Sequence, residues 1–279
     1  MSTPLACAIC LVDGRPEMLK RAIASFEAQT YERKGLLLWG DPQGVDFSRE
    51  TAFAVVHDEE SRRGLSIGEL RNQANFFAVD MMGAEVLIHW DSDDLSHPRR
   101  IEEQLALLES SGAEAVGYNE AIFWRQGEWS SPVGTNDPVG LCISEREGCP
   151  DYPHEHWRDK GSAYLYSNPR PNYAIGASLA YWRSTWQRRP FPHLPIPGNR
   201  QSAGEDAEWL KGVKCVAVSS IGADVPLPGL PVNDLDPSLI CSIHGQNSQA
   251  YDLALASPYF KRAAWFDDYC RAQMRLEGK

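Results

Sequence analysis

The chain has 279 residues, 43% of them apolar and 23% charged, which supports a folded core in one large domain or two small ones and excludes a disordered chain. A formal charge of −11 argues against a polyanion held on a broad basic face, although Arg and Lys cluster around 183–189 and leave room for a local groove. Nineteen prolines and nine tryptophans point to long, ordered, aromatic-rich loops.

The opening "MSTPLACAICLVDGRP" lacks a basic start and has only a short apolar run, which argues against a signal peptide. No apolar stretch is long enough to cross a bilayer, so the expected location is the cytoplasm. Seven cysteines, odd in number and irregularly spaced, fit a reduced compartment better than a disulfide framework. Cys7 and Cys10 form C-x-x-C, but inside a strand positions three apart face opposite sides. Both are expected in the core rather than as a redox or zinc pair.

"LACAICLV" (5–12) is continuously apolar, as in a parallel strand covered on both faces. "DGRP" breaks it, and Pro16 suits a first helical turn before Leu19, Ala22, Ile23 and Phe26 at helical spacing. "KGLLLWGD" (34–41) and "TAFAVVHD" (51–58) are the next strands. Ser66 and Glu69 form the S-x-x-E of a capping box, opening a helix with Ile67, Leu70, Ala74 and Phe77 on one face. "AEVLIHW" (84–90) is a strand that runs into "DSDDLSHP". Ser96 is expected to cap the following helix, with Pro98 early in it and Ile101, Leu105 and Leu108 facing inward. "AEAVGYNEAIFW" (113–124) is strand-like. Strand and helix thus alternate through the first 125 residues, the pattern of an α/β fold with a mainly parallel sheet.

Beyond 126 the order dissolves into loop-like, Trp-, His- and Pro-rich sequence until "NYAIGASLAYWRSTW" (172–186) recovers strand-then-helix character. Gly204, Glu205 and Asp206 precede a short helix-like segment, and "VKCVAVSSIG" (213–222) and "LICSIHGQNS" (239–248) are strand-like. The tail places Phe260, Ala263, Phe266, Cys270 and Met274 at helical intervals, a helix for the body or for a partner subunit. No internal repeat or low-complexity tract is visible.

In parallel α/β sheets, ligands sit beyond the carboxyl ends of the strands, and Asp13, Asp41 and Asp91 each follow a predicted strand. Asp91, Asp93 and Asp94 could be a solvated turn that caps the next helix, or hard oxygen ligands for Mg²⁺, Mn²⁺ or Ca²⁺. Glu205 and Asp206 suit a first helical turn through the helix dipole, or a general base that takes a proton from an acceptor hydroxyl. His244 is either a surface histidine beside Gly245 or a nitrogen ligand for a Mn²⁺-like ion. Trp124, Trp129 and Trp157 divide between core packing and stacking on sugar rings.

The order of motifs resembles the family 2 glycosyltransferases, inverting enzymes of the GT-A fold, over most of residues 5–250. "ICLVDGRPEMLKRAIASFEAQTY" is similar to the family's opening strand and helix, "ELRNQANFFA" to its Ala-Arg-Asn helix and "IHWDSDDLSHPRRIEEQL" to its Asp-x-Asp-Asp-Leu signature. "AIGASLAYWRSTW" is similar to the segment before the catalytic acids, "GEDAEWL" to the Glu-Asp motif and "IHGQNS" to a His-Gly-x-Asn element. Two places depart from the pattern: Val12-Asp13-Gly14 replaces the usual Tyr-Asn turn, and Trp39-Gly40-Asp41 lacks the family's common paired acids.

The resemblance implies a nucleotide-sugar donor of the UDP-sugar kind, with Asp13 and Asp41 at the nucleotide, Arg71 near the nucleotide or diphosphate, and Asp91 at the ribose or sugar. It implies Asp93 on a Mn²⁺ or Mg²⁺ ion, with Asp94 nearby and His244 completing the shell, and Asp206 as general base with Glu205 beside it. It divides the chain into a donor half (1–125), an acceptor and catalytic half (126–250) and a helical tail (251–279) through which the protein could form a homo-oligomer. The acceptor is a hydroxyl on a glycan, a protein, a small molecule or a modified nucleic acid. Two rival readings are a non-catalytic sugar- or nucleotide-binding module on the same fold, and a nucleotidyltransferase. The latter calls for a Gly-rich basic phosphate loop after the first strand, where "DGRPE" supplies one Gly and one Arg.

Overall fold

The computed structural model describes residues 3–12, 14–56, 64–125, 162–194, 204–221, 237–243 and 258–274. Four strands build its parallel half: β1 (Ala6–Leu11), β2 (Lys34–Trp39), β3 (Ala52–Val55) and β4 (Val86–His89). They lie in the order β4-β1-β2-β3, with Ile9 opposite His89 and Leu11 opposite Trp39. This register places the residues after Leu11, Trp39 and His89 along one edge of the sheet. β1 alternates between the two layers it separates: Ala6, Ala8 and Cys10 pack on one face, Cys7 and Ile9 on the other. Both cysteines are buried free thiols, as expected of core residues.

Helices cover both faces. α1 (Pro16–Glu27) and α3 (Arg100–Ser111) bury Leu19, Ile23, Phe26, Ile101, Leu105 and Leu108 on the first. α2 (Ile67–Met82) buries Ala74 and Ala78 on the second, beside α4 (Arg183–Arg188) and α5 (Glu205–Leu210). The expected capping box of α2 is complete: Ser66 Oγ accepts from the Glu69 amide, and the Glu69 carboxylate accepts from the Ser66 amide.

The expected cap of α3 is different. Ser96 lies in β5 (Leu95–Ser96), and α3 begins at Arg100 after an Arg99 whose side chain caps nothing. An N-terminal amide of α3 is satisfied instead by another element: Gln29 Oε1, past the end of α1, accepts from the Ile101 N–H at 3.1 Å, while its Nε2 donates to the His97 carbonyl.

The remaining strands make the sheet mixed. β8 (Ala180–Trp182) inserts antiparallel between β4 and the long β6 (Ala115–Arg125). β9 (Cys215–Ser219) pairs parallel with the first part of β6, and β10 (Leu239–Ile243) with its end. β7 (Ser162–Ser167) runs antiparallel to β6. Among the described strands, β5, β7 and β8 run against the rest, so the sheet is mixed and mainly parallel in direction.

Among the described residues of the tail, α6 (Asp267–Met274) is helical after a 3₁₀ turn at Ala264–Phe266, whereas Phe260–Arg262 forms β11, paired antiparallel with β7. Phe260 is drawn onto the ring of Phe123, centroids 5.2 Å apart, and Ala263 and Cys270 are buried beside Ile122 and Trp124. Cross-strand packing on an available edge outweighs the helical spacing of these residues. Trp124 is likewise core, whereas Trp129 and Trp157 lie outside the described residues. No described helix is long and apolar enough to cross a membrane.

Candidate functional site

The chain leaves β4 through Trp90, which is pinned by its indole N–H to the Ala22 carbonyl of α1. The three acids follow in a tight turn, in which the Asp94 amide donates to the Asp91 carbonyl at 3.4 Å. Each acid has its own partner. Asp93 Oδ2 accepts from Arg15 Nη1 at 2.8 Å, and the same guanidinium reaches Ser92 Oγ at 3.2 Å. Asp94 Oδ1 accepts from the Ser242 amide of β10 at 2.8 Å, while the Ser242 hydroxyl donates to the Asp93 carbonyl. Asp91 Oδ1 lies 3.6 Å from Arg71 Nη2.

One oxygen from each of Asp91, Asp93 and Asp94 lies within 4.8 Å of the others. Metal–oxygen bonds of roughly 2.1–2.6 Å put opposite ligands about 4–5 Å apart, so three such oxygens can share one hard cation. Gathering them is costly without one. Burial, then Asp93 and Asp91, push Asp94 well above the ordinary carboxylate range, and burial with Asp93 raises Asp91 although Arg71 opposes it. A divalent ion reverses that balance, and the donor set therefore fits Mg²⁺ or Mn²⁺. His244 lies outside the described residues, but β10, the strand that leads to it, is the one bonded to Asp93 and Asp94.

Arg71, buried on α2, is the hinge of the site. Its Nε lies 3.5 Å from Glu205 Oε1 and 4.0 Å from Asp206 Oδ1, opposite its contact with Asp91. Burial by itself would lower the guanidinium's affinity for its proton; Asp206, Asp91 and Glu205 outweigh it and hold the charge. The resemblance implies Arg71 near the nucleotide or diphosphate. The fold places it between the acids that follow β4 and the pair that opens α5.

Asp206 is set by a close backbone approach. A Cβ on Gly176 would stand 2.0 Å from Asp206 Oδ2, so a larger residue at this position of the 3₁₀ turn Gly176–Ser178 would push the carboxylate aside. Asp206 Oδ1 is buried with no hydrogen-bond partner, 3.7 Å from His89 Nδ1. Burial, then Glu205, push its pKa up to about 8, against the pull of Arg71. His89 is held neutral by burial and by Arg71; its Nδ1 donates to the Gly176 carbonyl at 2.7 Å, and its Nε2 accepts from the Tyr181 hydroxyl.

Asp41 stays apart from this cluster. It is exposed after β2, and its Oδ1 accepts the Gln43 amide at 2.8 Å. Asp13 lies outside the described residues. In the basic cluster at 183–189, Arg183 is exposed, Arg188 pairs with Glu114, and Arg189 donates to the Trp209 and Glu208 carbonyls. Sequence reasoning missed His89, Gly176 and Arg100. Arg100 had a signal, since 100, 101, 104, 105 and 108 share one helical stripe, but a doubled Arg after Pro suggests a solvated face.

No protein-family model matches this chain, and no curated protein does. Among solved structures it is similar to S. aureus TarS 1-349 in complex with UDP-GlcNAc, with a TM-score of 0.48 and 11% identity over 87% of this chain and 60% of that one. It is also similar to the mannosyltransferase PcManGT from Pyrobaculum calidifontis in complex with GDP-Man and Mn²⁺, with a TM-score of 0.46 and 12% identity over 99% of this chain and 71% of that one. The chain therefore spans about 60% of the length of TarS 1-349. Likeness at this level assigns no residue and no activity.

Proposed function

We propose that the protein is a metal-dependent, inverting glycosyltransferase of the GT-A kind, similar to family 2, which moves a sugar from a nucleotide diphosphate donor to an acceptor hydroxyl. The observation that carries this is convergence: Asp91, which follows β4, and Glu205 and Asp206, which open α5, are far apart in sequence yet meet the same buried cation, Arg71. One set is arranged for a cation and the other holds a carboxylate with a raised pKa, so the site has the two charges that glycosyl transfer needs.

In this reading Asp93 and Asp94 hold a Mn²⁺ or Mg²⁺ ion, His244 completes the shell, and Asp91 faces the ribose or sugar. Asp13 and Asp41, which follow β1 and β2, lie toward the nucleotide, a UDP group. When bound, the cation neutralises charge that develops on the departing diphosphate. The Asp206 carboxylate, whose side chain keeps 18% of its surface exposed, accepts the proton of the acceptor hydroxyl. The hydroxyl oxygen bonds to the anomeric carbon as the bond to the diphosphate oxygen breaks. A base pushed up to about 8 matches such proton transfer near neutral pH. One displacement inverts the sugar, and no second carboxylate nucleophile is called for. The acceptor is a hydroxyl compound: glycan, protein, small molecule or modified nucleic acid. A cytoplasmic location and self-association through the tail belong to the same proposal.

The test begins with a thermal-shift panel of nucleotide diphosphates and nucleotide sugars with Mn²⁺, in which the cognate donor raises the melting temperature only with the metal present. Donor turnover is then measured for Asp93→Ala and Asp206→Asn. Loss of turnover in both supports the assignment. Undiminished turnover in either, or no response to any nucleotide, overturns it.

A further inference from the structure

We propose that Arg100 is a positioning residue that fixes the spacing between the cation-binding acids after β4 and the carboxylate of Asp206; this rests on the role given to Asp206 above. Arg100 opens α3 and is 1% exposed. Its Nη2 donates to two carbonyls from opposite halves of the site, His89 at 2.9 Å and Ala177 at 2.8 Å. Nη1 donates to Ser96 Oγ at 2.8 Å and Nε to Gln104 Oε1 at 3.3 Å, and the guanidinium sits 5.0 Å over the Trp90 ring. His89 and Trp90 run straight into Asp91, and Ala177 follows Gly176, the residue against which Asp206 rests.

The arrangement is more than packing requires. Among the described residues no carboxylate lies within ion-pair distance of Arg100, and burying an unpaired cation is costly compared with an apolar side chain of the same volume. What the guanidinium adds is a planar fork whose donors point in fixed directions. That fork ties the end of β4 to the 3₁₀ turn; a second link joins α3 to the same turn, and a third repeats the tie from β4. Gln104 Nε2 donates to the Ser178 carbonyl, and His89 Nδ1 donates to the Gly176 carbonyl. Asn75 Nδ2 donates to the Tyr181 hydroxyl at 2.9 Å, which in turn donates to His89 Nε2 at 3.3 Å and so leaves the ring proton on Nδ1.

The experiment compares the parent with Arg100→Met and Arg100→Lys by three readouts: UDP affinity with Mn²⁺, steady-state turnover of the donor identified above, and ¹⁵N NMR of the His89 ring at one pH. The parent should show a neutral ring with its proton on Nδ1. In the folded variants UDP–Mn²⁺ affinity should stay within about threefold, kcat should fall about 10²-fold, as expected for a base misplaced by about 1 Å, and the Nδ1–H signature should be lost. Gly176→Ala, which displaces Asp206 directly, should reproduce the kcat loss and keep the His89 signature. An Arg100→Met protein that is folded and keeps both kcat and the signature overturns the proposal. If the Arg100 variants do not fold, Gln104→Met must show a smaller kcat loss of the same kind, and unchanged kcat there overturns it. A parent that turns over no donor refutes the proposed function, and the His89 signature alone then decides whether Arg100 holds the two strips together.

Discussion

Asp206→Asn should make the cation-free protein more resistant to unfolding, and increasingly so as pH rises. The carboxylate's pKa is pushed up to about 8 from a reference of 3.8 by burial and by Glu205. Between those values the folded chain keeps a proton that the unfolded chain has released, so stability falls as pH rises through that window and levels off above about 8. A displacement of about four pH units sets an upper bound of ~5–6 kcal/mol. The side chain keeps 18% of its surface exposed, and the Asn amide brings an unpaired polar group of its own worth ~1–3 kcal/mol, so the net gain at pH 9 should be ~2 kcal/mol. At pH 5 the parent carries a neutral carboxyl and the two proteins should be nearly equal. The assay is urea unfolding in EDTA at pH 5, 7 and 9, read as the difference between variant and parent. A difference that is flat with pH, or that favours the parent at pH 9, refutes the account of Asp206 as a buried base.

Arg71→Met leaves Glu205, Asp206 and Asp91 around an empty centre and should cost ~3–5 kcal/mol at pH 8, less at pH 5 where the acids take up protons; urea midpoints at the two pH values check this. Arg15→Gln removes the cation bonded to Asp93 at 2.8 Å and should raise the affinity of the nucleotide-free protein for Mn²⁺ several-fold, as measured by electron paramagnetic resonance of the free ion. Weaker Mn²⁺ binding in that variant would mean that Arg15 orders the acids instead of competing for them.

The sequence by itself determined the parts governed by near neighbours. Continuous apolar runs specified β1, β2 and β4, since such runs are stable only when covered on both faces, and Ser66 with Glu69 specified the start of α2. Parallel strands deliver their successors to one side of a sheet, yet of the acids that follow strand ends Asp91 joins the cluster around Arg71 while Asp41 stays exposed and apart. It could not decide which charges meet. Arg71 is attached to α2, and its partners Asp91, Glu205 and Asp206 arrive from two other elements. Ser96 has the look of a helix cap, yet Gln29, just past the end of α1, satisfies an N-terminal amide of α3, and the bond from Arg100 to Ser96 exists only once α3 packs on the sheet. Phe260 and Ala263 kept helical spacing but joined a strand and a buried cluster, since the edge of β7 was free to pair. Periodicity and capping are set over a few residues, whereas the partner of a buried charge, and the glycine that must yield to a carboxylate, are set by contacts between segments that only the folded chain brings together.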